Sequence, residues 1–223
     1  MIQEIDFAGL WREELKNQEG TYSLRMTDDA AERAFWHSFM EKKDVYKQDG
    51  WAARITPVLR ELILPRCPET ILEIGPGWGN FTAELAECCR QLSCLDISPD
   101  VLSFLKEKVP QKEGKPEIRT ICSKWEDFVP EKTYDVVFGY NCFYRMLDLK
   151  DCIRKMNAAA GKLCVMGMGT GERKIYLYFV NLLFQMGIAA EVRVIPLDEE
   201  VGSGSSLTRR LGVLVYWEPV KEP

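Results

Sequence analysis

Histidine is nearly absent from this chain: there is one, His37, in 223 residues. Metal sites built on imidazole are excluded by that count. The eight cysteines form no Cys-x-x-Cys pair, so zinc clusters and dithiol redox motifs are missing too, and no metal is expected. Scattered through apolar stretches, those cysteines read as reduced, buried small hydrophobes of a cytosolic protein. Positive charge is not in excess: 29 Lys+Arg stand against 34 Asp+Glu, for a net charge of −5. A nucleic-acid partner, whose phosphates call for a basic face, is therefore not expected. No apolar run approaches the ~18 residues of a membrane span, and residues 1–7 lack a basic start and a hydrophobic segment. The expectation is a cytoplasmic protein with no membrane partner, acting on a small molecule as a monomer or homodimer.

What the chain does have is hydrophobic content of 46%, enough for a sizeable core. The most informative stretch runs from Ile71 to Thr82. A short apolar run closed by glycines at 75, 77 and 79 reads as a buried strand entering a tight loop, with a helix over Phe81–Cys89 behind it. Glycines there let a ligand lie against main-chain N–H groups, because no Cβ intervenes. A dinucleotide fingerprint would place its third glycine at position 80, which is Asn80. Instead Glu73 stands two residues before the first glycine. A carboxylate there suits a ligand carrying positive charge and repels a pyrophosphate.

In these residues the chain resembles the class I S-adenosylmethionine-dependent methyltransferases, in their small-molecule branch. The resemblance covers roughly residues 55–217. It implies a second acid at the tip of the next strand, and Gln91–Ile97 supplies Asp96 where a ribose-binding carboxylate belongs. The implied fold is α/β: a doubly wound, seven-stranded, mostly parallel sheet with an antiparallel last strand, Rossmann-like, with an N-terminal helical cap. On this division residues 1–55 are the cap over the active site and 56–223 the cofactor-binding domain. The implied cofactor is S-adenosylmethionine, leaving as S-adenosylhomocysteine. Its binding set is Glu73, Gly75, Gly77, Gly79, Asp96, Ile97 and Asn141, with the adenine held by Glu126 or Asp127, or stacked on Trp125.

Elsewhere the pattern is consistent with that sheet. Thr27-Asp28-Asp29 offers caps for a helix over Ala30–Tyr46 that Gly50 breaks, and Thr56-Pro57 starts another helix ended by Pro65. Ser98-Pro99 opens a helix to Val109, Ile118–Cys122 and Tyr134–Tyr140 are strands, and Asp148 caps Leu149–Asn157. Gly161 stops that stretch before a strand over Lys162–Met168. Gly169–Gly171 is a loose connection to a helix over Glu172–Met186, and Gly187 ends it. Ala190–Ile195 and Leu211–Trp217 are the closing strands, linked through the flexible run Gly202–Ser206.

Substrate contacts are expected from the aromatic-rich cap and the fourth strand: Tyr22, Trp36, Tyr46, Tyr140 and Tyr144. His37 and Tyr144 are the candidate catalytic bases. Asn141-Cys142-Phe143-Tyr144 keeps the outer residues of a tetrad seen in nucleobase amino-methyltransferases, but lacks both of its prolines and reads as pocket-lining loop. Competing readings are a non-catalytic cofactor-binding module working through a partner and a nicotinamide-dependent oxidoreductase, which Asn80 disfavours. An aminopropyl transferase of the same fold would show acidic residues where Asn141–Met146 stand.

Overall fold

The computed structural model describes residues 5–109, 118–170, 175–197 and 211–220. Its centre is β1 (Thr70–Ile74), whose Ile71, Leu72, Glu73 and Ile74 are all buried. A strand covered on both faces belongs in the middle of a parallel sheet. Its neighbours, β2 (Gln91–Asp96) and β4 (Tyr134–Tyr140), run parallel to it, with Ile71 opposite Leu92 on one side and Val136 on the other. Beyond them lie β3 (Arg119–Cys122) and β5 (Ala160–Thr170), then β7 (Leu211–Trp217), antiparallel to β5, and β6 (Glu191–Pro196) at the edge. The order β3-β2-β1-β4-β5-β7-β6 reverses between β1 and β4. In such sheets the crevice beyond the strand ends at that reversal is where ligands bind.

Two helical layers cover the sheet. On one face lie α4 (Gly50–Ile63), α5 (Thr82–Cys88) and α6 (Pro99–Lys108), burying Ile55, Leu59, Leu85 and Leu105. On the other lie α1 (Phe7–Glu14), α7 (Leu149–Ala159) and α8 (Tyr176–Gln185), around Trp11, Ile153, Met156 and Phe179. Ser98 and Asp148 cap α6 and α7 through their side chains, to Val101 N and Asp151 N, and Gly187 ends α8 at φ +73°. Among the described residues no helix is long and apolar enough to cross a membrane.

Several sequence expectations need correction. The helix capped by Asp28 is α3 (Asp29–Met40) and stops six residues short of Tyr46. The chain turns away because Asn80 ties down the next segment: Gln48 Nε2 donates to its carbonyl at 2.7 Å and Asp49 N to its Oδ1 at 2.9 Å. Gly50 does not break a helix but is the first residue of α4, and Pro57 lies inside α4 rather than starting it. An interior proline costs about 3 kcal/mol. Burial of Ile55, Leu59, Leu62 and Ile63 outweighs it, since each such side chain contributes about 1.5–3 kcal/mol. The 55/56 division thus falls within α4. Gly161 and Gly169 are strand residues of β5, which starts at Ala160 directly from α7. A register shift in the β4–β5 pairing between Tyr134 and Val136 absorbs the early start. The Gly202–Ser206 link and residues 171–174 of the connection before α8 lie outside the described residues.

Candidate active site

The glycine loop leaves β1 in a conformation that side chains resist. Gly75 sits at φ +59°, and a Cβ on it would come 2.6 Å from the Cβ of Cys142. Gly77, at φ +55°, has the Trp36 ring 3.2 Å from where its Cβ would be. The loop is therefore a shallow cradle between the end of β4 and the cap, and any side chain would fill it. Asn80, in place of a third glycine, is buried and also donates through Nδ2 to Asp49 Oδ2 at 3.1 Å.

Two carboxyls end up buried at the strand tips. Glu73 accepts from Thr82 Oγ1 at 2.7 Å and contacts Cys94 Sγ at 3.6 Å. Burial pushes its pKa up to about 7, against the pull of those two hydrogen bonds, and the nearby Asp96 adds to the rise. Asp96 accepts from Ser98 N at 2.8 Å. Burial raises it as well to about 7; the Ser98, Gly77 and Ile97 N–H groups pull the other way and Glu32 adds repulsion. Near neutrality both groups can switch form, and a ligand bringing hydroxyl donors or positive charge favours the ionised one.

The cleft above them has two chambers. One, of about 770 Å³, is lined by Asp96, Ile97, Trp125, Glu126, Lys124 and Arg145 among others. The second, of about 590 Å³, takes in Glu73, Gly77, Trp51, Trp78, Phe81 and Tyr140. Gly75, Trp36, Asn141 and Tyr144 line both, so the chambers meet there. Over the first lie α2 (Leu24–Thr27) and α3, which contribute Arg25, Met26, Asp29, Glu32 and Trp36 to its lining. Glu32 is the knot of this cover: it binds Arg25 through two guanidinium nitrogens and accepts from Trp36 Nε1 at 2.9 Å. Lys124 Nζ reaches Asp29 Oδ1 at 3.0 Å, and Arg33 Nε donates to Ile97 O at 3.3 Å.

Tyr140 stacks on Trp51 with centroids 5.3 Å apart and tilts against Phe81 at 5.0 Å. Its hydroxyl is buried without a partner among the described residues, as are Trp78 Nε1 and Trp125 Nε1. Burial alone pushes the Tyr140 phenol far up. Asn141 sits at φ +55°, and its Oδ1 accepts from Gly169 N at 2.8 Å, which fixes β4 to β5 beneath the meeting point.

Of the residues expected at the site, Glu73, Gly75, Gly77, Asp96, Ile97, Trp125, Glu126, Trp36, Tyr140, Asn141 and Tyr144 converge on the cleft. Gly79 does not line it; a Cβ there would press on Val109 and Leu105 of the α6 layer at 2.8 and 2.9 Å. Tyr22 and Tyr46 line neither chamber, Tyr22 lying under Lys16 Nζ and Tyr46 packing beside Gly79. His37 is not brought to the cleft either. Its side chain is 60% exposed on the far side of α3, with Nδ1 3.2 Å from Asp100 and Nε2 3.5 Å from Glu41. Both carboxylates, Asp100 foremost, raise its pKa, so it serves as an ion-pair partner there. α1 lies under the sheet, where Trp11 Nε1 donates to Met146 O at 2.9 Å. Sequence reasoning missed Arg25, Glu32 and Arg145. Only Glu32 left a trace, its four-residue spacing to Trp36.

Residues 71–161 match the family described as "Methyltransferase domain". A relative from Haemophilus influenzae, an uncharacterized protein, is 26% identical over 92% of this chain and 79% of its own length. Seven further curated relatives are met over less than a third of their length. Among solved structures, the N-methyltransferase NodS from Bradyrhizobium japonicum with S-adenosyl-l-homocysteine superposes with a TM-score of 0.64 at 16% identity, covering 85% of this chain and 98% of that one. Magnesium protoporphyrin IX methyltransferase from Synechocystis, also with bound S-adenosylhomocysteine, gives 0.63 at 12% identity, over 85% and 99%. At these identities the two structures speak for the fold.

Proposed function

We propose that this chain, whose residues 71–161 match a methyltransferase domain, is a class I, Rossmann-like methyltransferase that uses S-adenosylmethionine and methylates a small-molecule acceptor held where the two chambers meet. The observation that carries the reading is that meeting point: Gly75, Asn141, Trp36 and Tyr144 border a carboxyl-bearing chamber on each side.

The residues present suit the cofactor. Asp96 would accept from the ribose hydroxyls, beside Ile97. The Trp125 indole, with its unpartnered Nε1, and Glu126 would hold the adenine. Glu73 and the Gly75–Gly77 cradle would take the methionine end, whose ammonium suits a carboxylate. The bound sulfonium supplies the activation of the methyl group. What the chain must add is alignment of donor and acceptor with water excluded, worth on the order of 7–11 kcal/mol for well-oriented reactants. Trp36 and Tyr144 wall the acceptor, and α3 closes over it. With His37 outside the cleft, Tyr144 remains the side chain positioned to take or relay a proton. NodS and the protoporphyrin enzyme are methyltransferases of the same fold, and the latter is named for a small-molecule substrate. The net charge of −5 fits such an acceptor better than a polyphosphate chain.

Two measurements test this. Calorimetry should give micromolar binding of S-adenosylhomocysteine, at least tenfold weaker in Asp96→Ala, and no binding of NAD. Incubation of the protein with methyl-labelled donor and a cell extract should then place label in the low-mass fraction. Label confined to RNA or protein would overturn the small-molecule reading.

A further inference from the structure

We propose that Arg145 binds an anionic group, carboxylate or phosphate, on the acceptor. This rests on the small-molecule methyl-transfer reading above. Arg145 ends the short turn Phe143–Arg145 that follows β4 and lines the first chamber beside Tyr144. Among the described residues three cations line that chamber, and two are neutralised: Arg25 by Glu32, with Nη2 2.9 Å from Oε1, and Lys124 by Asp29 at 3.0 Å. Arg145 has no carboxylate partner among the described residues, and its Nε is buried without a hydrogen bond. A half-buried guanidinium left this way is costly, and a ligand anion would relieve the cost.

The geometry favours fork-like recognition. The guanidinium carbon lies 4.9 Å from the Tyr144 ring centroid. A cation–ring contact does not itself consume an N–H donor, which leaves the guanidinium fork for two oxygens of one carboxylate or phosphate. The cofactor does not account for Arg145. On the reading above, its adenosine half would lie beside Asp96 and Trp125 and carries no anion. Its one carboxylate is on the methionine half, which would lie in the chamber of Glu73 and Gly77, and Arg145 does not line that chamber. Tyr144, shared by both chambers, then puts the bound anion one residue from the meeting point where transfer is proposed.

The test uses full-length protein saturated with S-adenosylhomocysteine and three probes: benzoate, phenyl phosphate and neutral benzamide. Titration should show one of the two anions binding at least tenfold more tightly than benzamide, and which of them does so identifies the acid. Arg145→Gln should erase that preference while its affinity for S-adenosylhomocysteine stays within threefold of the parent and its thermal midpoint within 2 °C. Arg145→Lys should restore part of the preference, as a point charge without the fork. Benzamide binding as well as both anions, no anion binding at all, or a preference that survives Arg145→Gln would each overturn the proposal. A loss of S-adenosylhomocysteine affinity in Arg145→Gln beyond tenfold would instead assign the guanidinium to the cofactor. Failure of the parent protein to bind S-adenosylhomocysteine would sink the methyltransferase reading itself, a result separable from all of these.

Discussion

At the scale of single residues, the site is governed by two carboxyls held near neutrality by burial, Glu73 and Asp96, each with a pKa of about 7. Without ligand, about half of each is protonated at pH 7. On the proposed reading, a ribose donating to Asp96 and an ammonium facing Glu73 would both favour the ionised forms, so binding should expel protons. Titration of S-adenosylhomocysteine at pH 6.5 in two buffers of different ionisation enthalpy should show net proton release that disappears at pH 8.5. Affinity should rise between pH 6 and pH 8. Heats that do not depend on the buffer would mean that neither carboxyl changes state on binding.

At the scale of elements, α3 is joined to α2 within the cover by Glu32 and Arg25, and tied to the body below by Asp29 to Lys124 and Arg33 to the Ile97 carbonyl. Of these ties, the Arg25–Glu32 pair is the most buried, with side chains 22% and 12% exposed. It is therefore less screened than a surface pair. Glu32 also holds the Trp36 indole over Gly77. Glu32→Gln keeps a partner for the indole and loses the ion pair. Release of S-adenosylhomocysteine, followed by stopped-flow tryptophan fluorescence, should become about three- to tenfold faster, a change of roughly 0.7–1.4 kcal/mol. An unchanged release rate would mean that the cover opens without breaking this pair.

At the scale of the whole molecule, the same carboxyls link stability to pH. Both titrate higher in the fold than in an unfolded chain, where such groups sit near 4. Their protonated forms therefore favour the fold below about pH 4, and that contribution is lost as pH rises through 7. Asp135 acts in the opposite sense. The Glu69 and Thr70 N–H groups and Lys162 hold its carboxyl below its ordinary value despite partial burial, so its contribution is present at neutral pH and lost in acid. Ligand-free protein carrying Glu73→Gln and Asp96→Asn together should lose less stability than the parent between pH 5 and pH 8, by a few kcal/mol in urea titrations. Equal slopes for the two would show that the strand-tip carboxyls do not set the pH profile.

The sequence alone determined the glycine loop, the two strand-tip acids, the alternation of strands and helices and the reversed last strand. Each depends on local spacing: alternating glycines, an apolar run, a serine–proline helix start. It also marked Trp36, Tyr140 and Tyr144 by their place on the cap and after β4. Tertiary structure decided the rest, because the forces involved act between residues distant in the chain. Asn80 ended α3 early by binding residues 48 and 49, and burial on the sheet carried α4 through Pro57. The pairing of α3 with α6 turned His37 outward to Asp100. No spacing rule could announce that Arg25 and Lys124 would find carboxylates while Arg145, among the described residues, would not, since charge pairing is settled by which surfaces the packed layers bring together.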